Sequence, residues 1–247
     1  MKCSEISISI VMPVYNEQEN IDFAVEKTIL EFKNFKRAEL IIINDGSEDD
    51  TDKKLIDLSI RYSNIIVVLK HKNNKGLAES LKFGFLKTLN DYVLFNSADL
   101  PLDPKDICNI IEQKYPFDLL VLERKKYSGA SAWRKFISIC NRVILHIFFP
   151  LELIDIADCN YTFIIKKEIL KKVFPNSISP GFIEAEIILR AKYLKFIVKT
   201  IETKYNRRKF GSPHFGRLKD ICLTMFDIIK FRIYSFFLIF IKTRKDY

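Results

Sequence analysis

Three short polar clusters in the first half of the chain, and basic residues in the second, are the side chains best suited to chemistry. The clusters are Tyr15-Asn16-Glu17, Asp45-Gly46-Ser47 and Ser97-Ala98-Asp99. They carry three carboxylates, Glu17, Asp45 and Asp99. The basic residues concentrate at 124–126, 204–209 and 217–245, within a net charge of +9. Arginine offers planar, permanently charged donors that match phosphate oxygens. A basic chain of this kind suggests nucleic acid, anionic lipid or phosphorylated small molecules as partners. No helix-turn-helix, zinc-finger or RNA-binding sequence accompanies the charge, so no nucleic acid is expected.

The elements that must position these groups follow from hydrophobic periodicity. Apolar runs at 7–12, 40–43, 65–69, 92–95 and 117–122 predict strands. Helical patterns lie between them. The first is capped by Asn16 and buries Ile21, Ala24, Val25 and Ile29. The second has Leu55, Leu58 and Tyr62 on one side. The third covers 76–89, and a fourth starts at Pro104. Alternating helices and continuous apolar strands imply a parallel sheet covered on both faces. Ligands then bind beyond the carboxyl ends of the strands, which is where the three polar clusters fall. Further on, the pattern predicts helices at 133–149 and 183–193, a strand at 196–200 and a closing helix at 218–241.

That last helix is rich in Ile, Leu and Phe but carries Asp227, Lys230 and Arg232. Its charge-free stretch, 233–241, is too short to span a bilayer. It suits either an interfacial helix beside a basic tail or a helix that packs into a core or a homo-oligomer. The 247 residues, 48% of them hydrophobic, can bury a sizeable core. The five cysteines, Cys3, Cys108, Cys140, Cys159 and Cys222, are scattered and form no CxxC pair. This argues against a disulfide framework or a structural zinc site and favours a reducing compartment. The run at 8–12 stops at Pro13, so no signal peptide is expected. His71, His146 and His214 share no metal-ligand spacing.

The motifs carry a resemblance. Ser9-Ile10-Val11-Met12-Pro13-Val14-Tyr15-Asn16-Glu17, then Ile42-Ile43-Asn44-Asp45-Gly46-Ser47 with Asp49 and Thr51, then Asn74-Lys75-Gly76-Leu77-Ala78 with Gly84-Phe85, resemble in order and spacing the family 2 glycosyltransferases. The second half is similar to the polyprenol-phosphate sugar transferases, the dolichol-phosphate mannose synthase type. Glu123-Arg124-Lys125-Lys126-Tyr127 stands where that group has S-R-Y. Trp133-Arg134 with Ser138 and Asn141 resembles R-x-x-x-S-x-x-N. Gly181-Phe182 with Glu186 and Arg190-Ala191 resembles G-F…E…R-A, and Arg207 to Ser212 resembles the R…G-x-S-K loop.

The resemblance implies a GT-A Rossmann-like, mostly parallel α/β sheet with flanking helices and a C-terminal amphipathic helix. Residues 1–216 would form the transferase domain, with a nucleotide-sugar half (1–103) and an acceptor half (104–216). Residues 217–247 would be the membrane-associated helix and basic tail. The implied reaction is inverting transfer of a sugar from a nucleotide-sugar donor to a polyprenyl or dolichyl phosphate, on a peripheral, cytoplasmic-face enzyme. Pro13, Tyr15 and Glu17 would line base and ribose, with plain strand-end packing as the alternative for Pro13 and Tyr15. Asp45 would accept a hydrogen bond from the base. A leaving diphosphate gains negative charge and needs a cation beside it. In this family an Asp-x-Asp turn holds that metal.

Here the first acid of the turn is Ser97, which leaves Asp99 as ligand for Mg2+ or Mn2+; a turn-capping acid is the other reading of Asp99. Asp103 could compensate. A lipid phosphate is already an anion and needs no general base, only cations and hydroxyls to position it. Arg124, Arg134, Ser138 and Arg208 fill that role by resemblance, although Arg207 could replace Arg208. Asp155 and Asp158 flank the place of a family Asp and stay unassigned. Two other readings remain open. A saccharide-hydroxyl acceptor would need a base, for which Glu184 and Glu186 are candidates. The loss of the first acid at Ser97 also fits a catalytically silent nucleotide-sugar-binding homologue.

Overall fold

The computed structural model describes residues 2–124, 132–204 and 218–243. Strand β1 (Ser7–Val14) is buried along nearly its whole length. A strand buried on alternate sides at once, with Ile8, Ile10, Val11 and Met12 all covered, belongs in the middle of a sheet covered on both faces. It pairs in parallel with β2 (Arg37–Asn44) on one side and β4 (Tyr92–Phe95) on the other. Strand β3 (Ile66–Lys70) extends β2 in parallel. The sheet continues through β6 (Thr162–Lys166) and β5 (Leu119–Arg124) to β7 (Val198–Thr203), in the order β3-β2-β1-β4-β6-β5-β7.

The sheet is mostly parallel, as the resemblance implies, with one antiparallel strand. Strand β6 runs antiparallel to both β4 and β5, so the sheet is mixed, although β5 and β7 are again parallel. The sequence reading had no strand at 162–166. The five-residue run Thr162–Lys166 passes directly into the short helix α6 (Lys167–Lys172), so no strand–helix alternation marks it. The single sheet crosses the boundary drawn between the two halves at 103/104.

Alternate strand residues face opposite sides. Val11, Ile41, Ile43 and Val93 join the core under α3 (Leu77–Phe85), α7 (Ile183–Tyr193) and parts of α5 (Ala132–Phe148) and α8 (Leu218–Thr243). Ile8, Ile10, Met12, Leu40 and Ile42 pack under α1 (Ile21–Leu30), α2 (Thr51–Arg61) and α4 (Ile107–Lys114). Helix α3 lies so close to the sheet that a Cβ on Gly84 would sit 2.5 Å from Val11 Cγ1.

Two further expectations are revised. Helix α1 starts at Ile21 behind Asn20, not at Asn16. Cys3 and Cys108 form one disulfide, with Cα atoms 5.6 Å apart across 105 residues of sequence; the other cysteines are free. Scattered positions could not reveal this pair, because the fold alone brings the N-terminus onto α4.

Helix α8 packs one face into the core and leaves the other exposed. Ile228 and Phe231 are buried with Phe149 and Phe182. Phe226, Ile229, Ile233 and Phe236 stay exposed. Its buried Asp227 accepts hydrogen bonds from the backbone N–H groups of Ile178 and Ser179, at 3.0 and 2.8 Å.

Candidate active site

The carboxyl ends of β1, β2 and β4 meet at one rim, because β1 lies where the strand order reverses. After β1 the chain turns through Asn16 at φ 54°, a left-handed conformation that asparagine tolerates. The Asn16 N–H donates to Ser47 Oγ, and Asn16 Oδ1 accepts from the Glu48 N–H. The Glu17 N–H donates to Thr51 Oγ1 at 2.9 Å. These bonds bind the loop after β1 to the loop after β2. Asn16 is thus a loop clamp, not a helix cap.

Asp45 is nearly buried. Its Oδ1 accepts from the Lys75 N–H and contacts His71 Nδ1, and its Oδ2 accepts from the Gly76 N–H, all at 2.8 Å. The carboxylate therefore anchors the loop that opens α3. His71, which sequence spacing left without a role, is stacked on Phe83 with ring centroids 5.2 Å apart. Gly46 sits at φ +72°, and a Cβ there would lie 2.7 Å from the Asn73 carbonyl carbon. Only glycine lets this loop pass so close.

After β4, Asn96 Nδ2 donates to the Leu102 carbonyl and fixes the acidic turn. Ser97 Oγ donates to Asp99 Oδ1. Ser97 therefore orients the remaining acid rather than adding a second carboxylate. Asp103 does not compensate: it pairs with Lys27 at 2.8 Å and is absent from the lining of the cleft. Burial would raise its pKa, but hydrogen bonds from Lys27 and the Lys105 N–H hold it below the usual carboxylate value.

Pro13, Tyr15, Glu17, Asp45, Ser97 and Asp99 line one cleft of about 580 Å3. Arg124 lines it too, and also lines an adjoining cavity of about 390 Å3. Asp158 holds the guanidinium there by a two-point contact, Nε to Oδ2 at 2.5 Å and Nη2 to Oδ1 at 2.9 Å. Glu123 in turn accepts from the backbone N–H groups of Ala157 and Asp158. Asp158, unassigned from sequence, is thus the residue that sets Arg124. Its only sequence signal is its place beside a family Asp. Asp155 pairs instead with Lys192.

The second cavity is more apolar, with Phe136, Ile144 and Met225 among its walls, and Ser138 lines it. Two buried oxygens on residues of its wall, Asn160 Oδ1 and Glu184 Oε2, have no hydrogen-bond partner among the described residues. Burial pushes the Glu184 carboxyl up from 4.5 to about 7, against the opposing pull of its own backbone N–H and of Arg124. Glu186 differs. It accepts from the backbone of Asn176 and Ser177 and pairs with Arg190. Of the two base candidates only Glu184 faces a cavity. The side chain of Arg134, at the start of α5, and the whole of Arg207, Arg208, Gly211 and Ser212 lie outside the described residues.

Among the described residues no group of three His, Cys, Asp or Glu is placed to hold a metal ion. Asp99 with the Ser97 hydroxyl therefore fits a hard cation only as one carboxylate. The rest of the coordination would come from ligand oxygens and water, an arrangement Mg2+ accepts.

Known proteins align with this arrangement. A dolichol-phosphate mannosyltransferase of Pyrococcus furiosus is 30% identical over 201 residues, covering 78% of this chain and 55% of that protein. An undecaprenyl-phosphate 4-deoxy-4-formamido-L-arabinose transferase of Photorhabdus laumondii is 29% identical over 106 residues, covering 42% of this chain and 33% of that one. The chain thus spans about half, or less, of the length of these curated relatives. In fold it is similar to a glucosyl-3-phosphoglycerate synthase of Mycobacterium tuberculosis solved with Mn2+, uridine diphosphate and glucosyl-3-phosphoglycerate. The TM-score is 0.65 at 18% identity, covering 89% of this chain and 76% of that one. With residues 9–174 matching the family directly, the chain belongs to glycosyl transferase family 2.

Proposed function

We propose that the protein transfers a sugar from a nucleotide-sugar donor to a polyprenyl phosphate, with inversion at the anomeric carbon. The observation that carries this reading is the junction of two cavities at Arg124. One is rimmed by acids; the other is apolar and carries Ser138. The donor's nucleotide lies along Pro13, Tyr15, Glu17 and Asp45. Because Asp45 already anchors the 71–76 loop, its contact with a base would use a lone pair left on the same oxygens. The acceptor's phosphate lies at Arg124 and Ser138, with Arg134 and Arg208 as further cations. A phosphate oxygen attacks the anomeric carbon, the bond to the nucleoside diphosphate breaks, and the products are a glycosyl phospholipid and the free diphosphate. Asp99, oriented by Ser97, would hold Mg2+ or Mn2+, which supplies positive charge beside the diphosphate.

The surface supports a peripheral position at a bilayer. Phe136, Ile139, Val143 and Ile147 form an exposed stripe on α5; Phe226, Ile229, Ile233 and Phe236 form another on α8. Both helices also line the second cavity. Among the described residues, no helix is long and apolar enough to cross a membrane. Paired apolar stripes on a basic chain suit a helix pair lying in the headgroup region, with the cavity mouth at the level of the lipid. The division into a transferase domain, 1–216, and a membrane-associated C-terminal segment, 217–247, follows as part of this proposal. The single sheet argues for treating the two halves of the former as one unit.

The decisive experiment assays a panel of nucleotide sugars with Mn2+ against a polyprenyl phosphate and against oligosaccharides. Transfer to the phosphate alone is expected. Transfer only to a saccharide hydroxyl would replace this reading, and the buried Glu184 favours that alternative as the available base. Donor binding without turnover on any acceptor would mark a silent homologue.

A further inference from the structure

The second cavity contains a carboxyl group for which transfer to a phosphate has no obvious use. Glu184 is the second residue of α7. It is 5% exposed and lines the cavity beside Ser138, and its Oε2 has no partner among the described residues. Among the described residues, the charged and titratable groups around it come from three elements and one loop. Arg124 is on β5, Asp158 and Cys159 precede β6, Cys140 is on α5 and Asp220 is on α8. Arg124 directs two hydrogen bonds to Asp158, and none reaches Glu184 Oε2 among the described residues. On its own helix, Glu186 is turned away to Arg190 and the backbone of Asn176 and Ser177.

An ionised Glu184 would confront an incoming phosphate dianion across a cavity with largely apolar walls, where like charges repel strongly. A neutral carboxylic acid would instead present an O–H donor, and buried surroundings can hold an acid in that form. We propose that Glu184 receives the acceptor as a neutral acid and donates its proton in a hydrogen bond to a phosphate oxygen, so that ionisation of this one residue expels the acceptor. The proposal rests on the lipid-phosphate reading above. It gives the acceptor site a proton-dependent affinity separate from the nucleotide site. The proton stays on the Glu184–phosphate pair and no covalent bond is made there.

The test follows transfer from the nucleotide sugar to farnesyl phosphate in mixed micelles between pH 7 and 9, where the phosphate is already dianionic. For the wild type, acceptor KM should rise by roughly tenfold per pH unit once Glu184 ionises, because only the neutral fraction binds. Donor KM should stay flat. Glu184→Gln keeps an N–H donor but cannot ionise. Its acceptor KM should be independent of pH over this range, with Tm and donor KM confirming that it is folded.

A flat wild-type profile, or the same rise in Glu184→Gln, overturns the proposal. So does a folded Glu184→Gln that binds donor and acceptor yet does not turn over, since that result makes Glu184 a base. If the wild type transfers to no prenyl phosphate at any pH, the acceptor reading itself fails, and this inference with it.

Discussion

Arg124 and Asp158 show how much the site depends on individual contacts. Their side chains are only 9% and 13% exposed, so each charge relies on the other in place of water. Removing one partner of such a pair strands the other and typically costs about 3–5 kcal/mol. Arg124→Ala is therefore expected to lose about that much stability in urea unfolding, besides raising acceptor KM. Arg124→Lys keeps the charge but not the two-point geometry, and should show the KM defect with a smaller loss of stability. Equal stability of Arg124→Ala and wild type would mean that Asp158 is solvated after all. At the acidic turn, Asp99→Ala should lower kcat by about a hundredfold or more, the usual scale for loss of charge stabilisation. Ser97→Asp should tighten Mn2+ binding without loss of transfer. Full activity in Asp99→Ala would remove Asp99 from the cation site.

Helix α3 and the loop before it are placed by two glycines. A methyl group at position 84 would press against Val11 and Ile43, and both are core residues with nowhere to move. Gly84→Ala is expected to destabilise the protein by about 1–3 kcal/mol. At Gly46 the obstacle is backbone and the φ is positive. Gly46→Ala should push the 73–74 loop off Asp45 and weaken nucleotide binding, which a titration with the donor nucleotide would detect. Unchanged affinity would show that the loop does not shape the donor site. Helices α5 and α8 work differently, since each buries one face and leaves an apolar stripe outside. Phe226→Ser with Ile233→Asp should reduce binding to anionic vesicles at least about tenfold. Tm should change little, because these side chains are exposed. Undiminished vesicle binding would remove α8 from the membrane contact.

For the molecule as a whole, Glu184 links folding to pH. Its folded-state pKa is raised to about 7 from 4.5. The native state therefore holds a proton that the unfolded chain has lost between those values. The stability it contributes is full below pH 4.5 and is lost as pH rises through 7, by at most about 3 kcal/mol. Glu184→Gln should lack this component, so its unfolding free energy should fall less than that of the wild type between pH 4.5 and 8. Parallel curves for the two proteins would place Glu184 in contact with water.

Periodicity and motif order were enough to set out the first half of the chain. Val11, Ile41 and Val93 lie in runs too apolar for anything but a covered sheet. In such a sheet, topology alone brings Tyr15, Asp45 and Asp99 to one rim. The same local signals could not reveal β6, whose five residues carry no period of their own. They could not join Cys3 to Cys108, or Arg124 to Asp158, because contacts across 105 and 34 residues are products of chain folding rather than of spacing. Nor could they separate Glu184 from Glu186. Two acids two positions apart on a helix point in different directions, and only the packing of α7 against β5 and α8 decided that Glu184, with an Oε2 unpaired among the described residues, faces a cavity while Glu186 is held by Arg190. The sequence determined which chemical groups stand at the rim, since strand ends are local. Tertiary structure decided which of them are paired, buried or left facing a cavity, since those states depend on neighbours that distant parts of the chain supply.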